Sequence, residues 1–130
     1  MAKMVGVWMY VMPRRPSDDV NLTGGATIIL NEADRRKLGD GLMTVSIRVM
    51  DDDTFSDDTV YKDDSFQLGP ALLNIGPNTF GLNVIVPRSK VANSEPGWES
   101  AAELYFRVRA SGSGVTTNWA NSQTESVPYK

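Results

Sequence analysis

Three segments of the chain alternate apolar and polar residues with period two. In Leu42–Met50, the side chains of Met43, Val45, Ile47 and Val49 share one face, and Thr44, Ser46 and Arg48 share the other. Thr79–Pro87 sets Phe80, Leu82, Val84 and Val86 in register, and Glu103–Arg109 sets Leu104, Phe106 and Val108 against outward Arg107 and Arg109. Successive side chains of a strand leave opposite faces, so each segment predicts a strand with one face buried and one wet, as in antiparallel sheets. Thr59–Leu68 predicts another strand, with Val60, Tyr61, Phe66 and Leu68 for burial. The β-branched and aromatic run Met4–Met12 predicts the first strand, Ala26–Leu30 a short second, and Val115 to about Ser126 the last.

Helical signals occur once. Asn31 is a capping residue, Glu32 and Asp34 supply acids to a first turn, Arg35, Arg36 and Lys37 supply bases to a last one, and Gly39 stops it. The stretch from Pro13 to Gly25, ending in Gly24-Gly25, reads as a polar connection with turn residues. A parallel sheet would need crossover helices that are missing here. The pattern predicts an all-β fold: one domain over residues 1–130, an antiparallel β-sandwich of about seven strands with one short surface helix. Its predicted core is Met43, Val45, Ile47, Val49, Phe80, Leu82, Val84, Leu104, Phe106 and Val108.

Composition narrows the chemistry. The chain has no cysteine, which excludes disulfides, iron–sulfur clusters, thiolate metal sites and cysteine nucleophiles. It has no histidine, which excludes Ser–His–Asp catalysis and the usual transition-metal ligand. Carboxylates and hydroxyls remain, and Glu99 with Glu103 is the one pair that an acid–base reading would use. Nothing places the two across a cleft, so the expectation is a protein without enzymatic activity. The arginines of Pro13-Arg14-Arg15-Pro16 follow the first apolar run, whereas a secretory leader carries its charges ahead of one. That run is also far shorter than the ~20 residues of a membrane-spanning helix. A cytoplasmic location is the expectation, with release by a non-standard route as the alternative.

Charge then singles out one loop. Residues 51–64 hold seven of the sixteen acids and a single base, Lys62. Crowded carboxylates repel, and a bound cation relieves the repulsion. Calcium suits oxygen donors of this kind. Asp51 and Asp53 share a strand face by their spacing, and Asp57 or Asp58 folds back to close the site, giving Asp51, Asp53, Asp57 and Asp58 as candidate calcium ligands. A helix–loop–helix calcium hand is excluded, because its glycine and glutamate positions hold Ser56 and Lys62. The other reading is a solvated acidic loop that discourages edge pairing.

The segment Val49-Met50-Asp51-Asp52-Asp53-Thr54-Phe55-Ser56-Asp57-Asp58-Thr59-Val60 resembles a calcium loop of the phospholipid-binding β-sandwich domains in synaptotagmins and protein kinase C. In that family an alternating strand ends in Asp-x-Asp, followed by a short loop with an aromatic residue and Ser, then another Asp before an apolar strand. The resemblance implies bridging roles for Asp51 and Asp53, a later ligand at Asp57 or Asp58, and a membrane lipid as partner. Here the loop is a residue shorter, and Tyr61 stands where the family often has glycine.

Other residues add partners. Arg14-Arg15, Arg35-Arg36-Lys37, Arg88 and Lys90 carry no interleaved aromatics, and the net charge is −3, so nucleic acid is not expected. These bases read as surface, or as contacts for another subunit's acidic loop. Trp98 reads as a cap on the sandwich end, or as an anchor for a sugar or protein. Trp119 reads as a sheet-face anchor for a glycan, or as core. The expected function is a calcium-binding module that mediates binding or assembly through its Asp loop, with a protein partner or self-association. The alternative is a structural subunit of a homo-oligomeric particle or filament.

Overall fold

In a computed structural model, the alternation of the central segment runs through nine residues without a break. Met43, Val45, Ile47, Val49 and Asp51 are buried, and Thr44, Ser46, Arg48 and Met50 lie half-buried on the other face. The structure describes residues 1–52, 57–95 and 97–130. Its long strands are β1 (Lys3–Val11), β2 (Val20–Leu30), β3 (Met43–Asp51), β4 (Asp58–Leu68), β5 (Gly76–Val86) and β6 (Ala101–Gly112). Three short ones follow: β7 (Val115–Thr116), β8 (Ala120–Asn121) and β9 (Glu125–Pro128). All pairings are antiparallel.

The strands form two sheets, one of order β1-β2-β5 and one of order β4-β3-β6, in which β7, β8 and β9 successively cover the outer edge of β6. The predicted all-β antiparallel sandwich is therefore what the chain builds. The single last strand expected between Val115 and Ser126 is instead three pieces. Side chains continue the ladder in the gaps between them. Thr117 Oγ1 accepts from Ala110 N at 3.0 Å, and Ser122 Oγ accepts from Phe106 N at 2.9 Å.

Apolar residues from both inner faces meet in one core. Of the predicted core residues, Met43, Val45, Ile47, Val49, Leu82, Val84, Leu104, Phe106 and Val108 are buried. Each such side chain contributes roughly 1.5–3 kcal/mol by leaving water. Phe80 differs: it is half-buried and stacks on Phe66 at 6.0 Å, between the free edges of the two sheets. The opposite side is stitched by side chains. Asn118 exchanges hydrogen bonds with both backbone groups of Met4, and Gln123 donates to Met9 O. These bonds satisfy an edge strand that would otherwise invite pairing.

Helix α1 (Glu32–Leu38) forms where its signals lie, with a reciprocal capping box between Asn31 and Asp34 and a left-handed Gly39 at its end. A second helix, α2 (Arg88–Asn93), follows Pro87 without a side-chain cap. Arg88 of α2 donates to Tyr129 O, and Arg14 donates to Pro128 O, so two of the supposed surface bases hold the C-terminal strand in place. Gly24-Gly25 lies inside β2 and forms no turn. A Cβ at Gly24 would sit 2.0 Å from the Trp8 carbonyl oxygen and 3.0 Å from Phe106, so close approach explains that glycine. Among the described residues, no helix is long and apolar enough to cross a membrane.

Candidate functional site

The acidic residues singled out by sequence sit at one end of the β3–β4 hairpin. Asp51 continues the inward alternation of β3 and is only 2% exposed. Its cross-strand partner is Asp58, which is exposed at the start of β4. Asp57 is exposed and accepts a hydrogen bond from the Tyr105 hydroxyl. Asp53, the fourth candidate, lies outside the described residues, as do Thr54, Phe55 and Ser56 of the resembling segment. Burial, and then the bond to the Asp57 carboxylate, push the Tyr105 hydroxyl up to about 12. Asp51 and Asp57 thus leave the hairpin in different directions, one to the core end and one to Tyr105. Among the described residues, no group of three or more carboxylates is gathered for a metal.

The outer face of the three-stranded sheet brings together residues that the strand pattern did not connect. Strand β1 carries a bulge between Val5 and Trp8, where Gly6 and Val7 oppose the single residue Ala26 of β2. Gly6, at φ +60, supplies the backbone conformation. The extra residue reverses the alternation. Val7 and Met9 turn inward, while Trp8 and Tyr10 turn to solvent at 44% and 47% exposure. Their rings lie nearly parallel and stacked, 10° apart in tilt with centroids 6.2 Å apart.

Beneath Trp8 the sheet carries no side chains. Trp8 pairs with Gly25, and Gly25 pairs with Gly81. A Cβ on Gly25 would lie 2.9 Å from the indole nitrogen of Trp8, so the indole rests on bare backbone. Polar groups surround this floor without formal charge. Asn83 Nδ2 donates to Asn21 Oδ1 at 2.6 Å and to Thr23 Oγ1 at 3.0 Å, and the Thr27 and Thr79 hydroxyls bond at 2.9 Å. These bonds fix the side chains. The sequence contained a signal for this site: a glycine inside a strand run marks a bulge, and a bulge decides which aromatic residues face out.

Trp98 is 80% exposed in a turn, so the expected role as an end cap does not hold. Strong exposure follows from its place beyond α2, where no strand of either sheet pairs. Trp119 is half-buried on the outer face of the larger sheet and packs under arginines. A groove of about 630 Å³ beside the start of β1 is lined by Met1, Ala2, Lys3, Met4, Val5, Thr116, Thr117 and Asn118. It presents an ammonium and amides but no carboxylate. No protein-family model matches the chain, and neither a curated protein nor a solved structure matches it.

Proposed function

We propose that this protein is a non-enzymatic recognition module that holds a glycan chain on the outer face of its three-stranded sheet. The observation that carries the reading is the exposed Trp8–Tyr10 pair, its rings nearly parallel and Trp8 lying over Gly25. A sugar ring offers an apolar C–H face that stacks on an aromatic plane, and hydroxyls that need neutral donors and acceptors at its rim. Trp8 and Tyr10 supply the planes at low entropic cost, since each is held by its strand. Asn21, Asn83, Thr23 and Thr79 supply the rim. Rings already fixed on the free protein lose little freedom on binding.

Glycan-array screening of the full chain, followed by calorimetry with the retained oligosaccharide, tests this reading. Binding should fall at least tenfold in both Trp8→Ala and Tyr10→Ala. Retention of no glycan, or binding indifferent to both substitutions, overturns it. Mass photometry that finds dimers in the wild type and monomers in Trp8→Ala replaces the glycan with a second copy of the chain.

A second reading keeps calcium at the acidic hairpin, with Asp51, Asp53, Asp57 and Asp58 as its ligands. The favouring observation is the backbone pairing of buried Asp51 with exposed Asp58 at the end of the β3–β4 ladder, beside the acidic loop. A cation bound only to the folded chain would add ~2.7 kcal/mol at a hundredfold excess over Kd. Thermal melts in calcium and in chelator at matched ionic strength should then differ, and Asp53→Asn with Asp57→Asn should erase the difference. Coincident melts remove this reading.

A further inference from the structure

On the outer face of the larger sheet, three arginines converge on one indole. The guanidinium carbons of Arg109, Arg107 and Arg48 lie 4.5, 5.3 and 5.6 Å from the centre of the Trp119 ring. Register explains the convergence. Arg48 of β3 pairs with Arg107 of β6 on one side and with Lys62 of β4 on the other. Arg109 pairs with Ser46, one step along the same face. Three cations therefore stand in a single cross-strand row, with a fourth diagonal to it. Like charges directly opposite each other destabilise a sheet.

The neutralising groups fall short of that charge. Asp64, carried by a bulge of β4, bonds Arg48 at 2.7 and 3.4 Å. This guanidinium holds the Asp64 carboxyl below its usual range. Arg107 reaches only an amide oxygen, that of Asn121 at 3.3 Å. Among the described residues, neither Arg107 nor Arg109 has a carboxylate partner. The Nε of Arg109 is buried with no hydrogen-bond partner at all. Cation–π contact with Trp119 orients the guanidiniums of Arg107 and Arg109 but leaves their charge and most of their donors unused.

We infer that the Arg48–Arg107–Arg109 cluster around Trp119 binds a tetrahedral oxyanion, of the phosphate or sulfate type. Guanidiniums match such an anion because their forked donors bond two oxygens at once. Fixed by the indole and by strand pairing, they are arranged before the ligand arrives. The site stands on the opposite sheet from the glycan face and does not depend on it. Tyr105, Glu103 and the acidic hairpin lie toward one end of the same face, so an anion is directed to the arginine row and away from the carboxylates.

Nuclear magnetic resonance of the full chain tests the inference. Sodium phosphate and sodium sulfate are titrated in separate arms, each against sodium chloride at equal ionic strength. The Trp119 indole N–H should shift saturably in at least one oxyanion arm, while those of Trp8 and Trp98 stay in place. Arg107→Gln should raise the Kd tenfold or more. Asp64→Asn, which frees Arg48 from its carboxylate, should lower the Kd several-fold, an outcome that a purely structural cluster would not give. Shifts equal to those in chloride, or a Kd unmoved by both substitutions, overturn the site. The arm that saturates at the lower concentration identifies phosphate or sulfate.

Discussion

The two sheets present solvent with opposite chemistry. Strands β1, β2 and β5 contain one charged residue, Lys3, whereas β3, β4 and β6 contain nine. The first face is an aromatic and amide surface lying on glycines. The second is a row of cations tied to an indole, with acids at its end. Both bury the same kind of core on their inner sides, so the difference lies in their outward positions. It shows where each sheet spends its outward positions: one on shape and neutral hydrogen bonds, the other on charge.

If the glycine floor is what lets the Trp8 indole lie against the sheet, filling it should cause the largest effect. Gly25→Ala forces a methyl against the Phe80 carbonyl oxygen and the Trp8 indole. It should lower stability by about 3 kcal/mol or more, as overpacking without room to relax does. Denaturant unfolding followed by fluorescence measures it. An unchanged midpoint would mean that β1 can slide off β2.

The two tryptophans sharpen the contrast next. Trp119 holds three guanidiniums, so Trp119→Ala should cost about 2 kcal/mol and more at low salt, where the arginines repel unscreened. Trp8 is nearly half exposed, and Trp8→Ala should cost under ~1 kcal/mol with no salt dependence. Paired urea titrations at two salt concentrations separate them. Equal losses would erase the distinction between a structural indole and a recognition indole.

Alkaline pH should weaken only the charged sheet. Burial first, and the Asp57 carboxylate second, raise the Tyr105 hydroxyl from 10.0 to about 12, and burial raises Tyr129 as well. A group whose folded pKa is raised gives full stability below its unfolded pKa and loses it as pH rises toward the folded value. Stability should therefore be level to about pH 9 and decline from about pH 10 upward. Tyr105→Phe should flatten part of that decline in a series of denaturant titrations. A decline of the same slope in the variant would assign the loss elsewhere.

The smallest effect belongs to the ion pair of Arg48 and Asp64. Asp64 is 54% exposed, so Asp64→Asn should cost only ~0.2–1 kcal/mol. Its depressed pKa gives stability above the unfolded pKa that disappears as pH falls through the folded one. Melts of wild type and Asp64→Asn should converge at acid pH. A persistent gap there would show that the carboxyl matters for packing more than for charge.

Much of this molecule was legible from residue order alone. Period-two alternation located β3, β5 and β6, and nine of the ten core residues it named are buried, because a half-buried strand leaves one wet side chain in two. The capping box and Gly39 located α1, because helix ends need local partners that the sequence displays. The split between a neutral and a charged sheet is also written in strand composition. What the sequence did not display depends on long-range geometry. Gly24-Gly25 looks like a turn until Trp8 and Phe106 are brought against it. The outward turn of Trp8 and Tyr10 depends on one extra residue at Gly6, and a one-residue shift flips every following side chain. Arg48, Arg107 and Arg109 come from segments some sixty residues apart. Only the β3–β6 register makes them neighbours, and only the broken C-terminal strand brings Trp119 beneath them. Local pattern decides which segments become strands, but register and bulges decide which side chains face out and which of them meet.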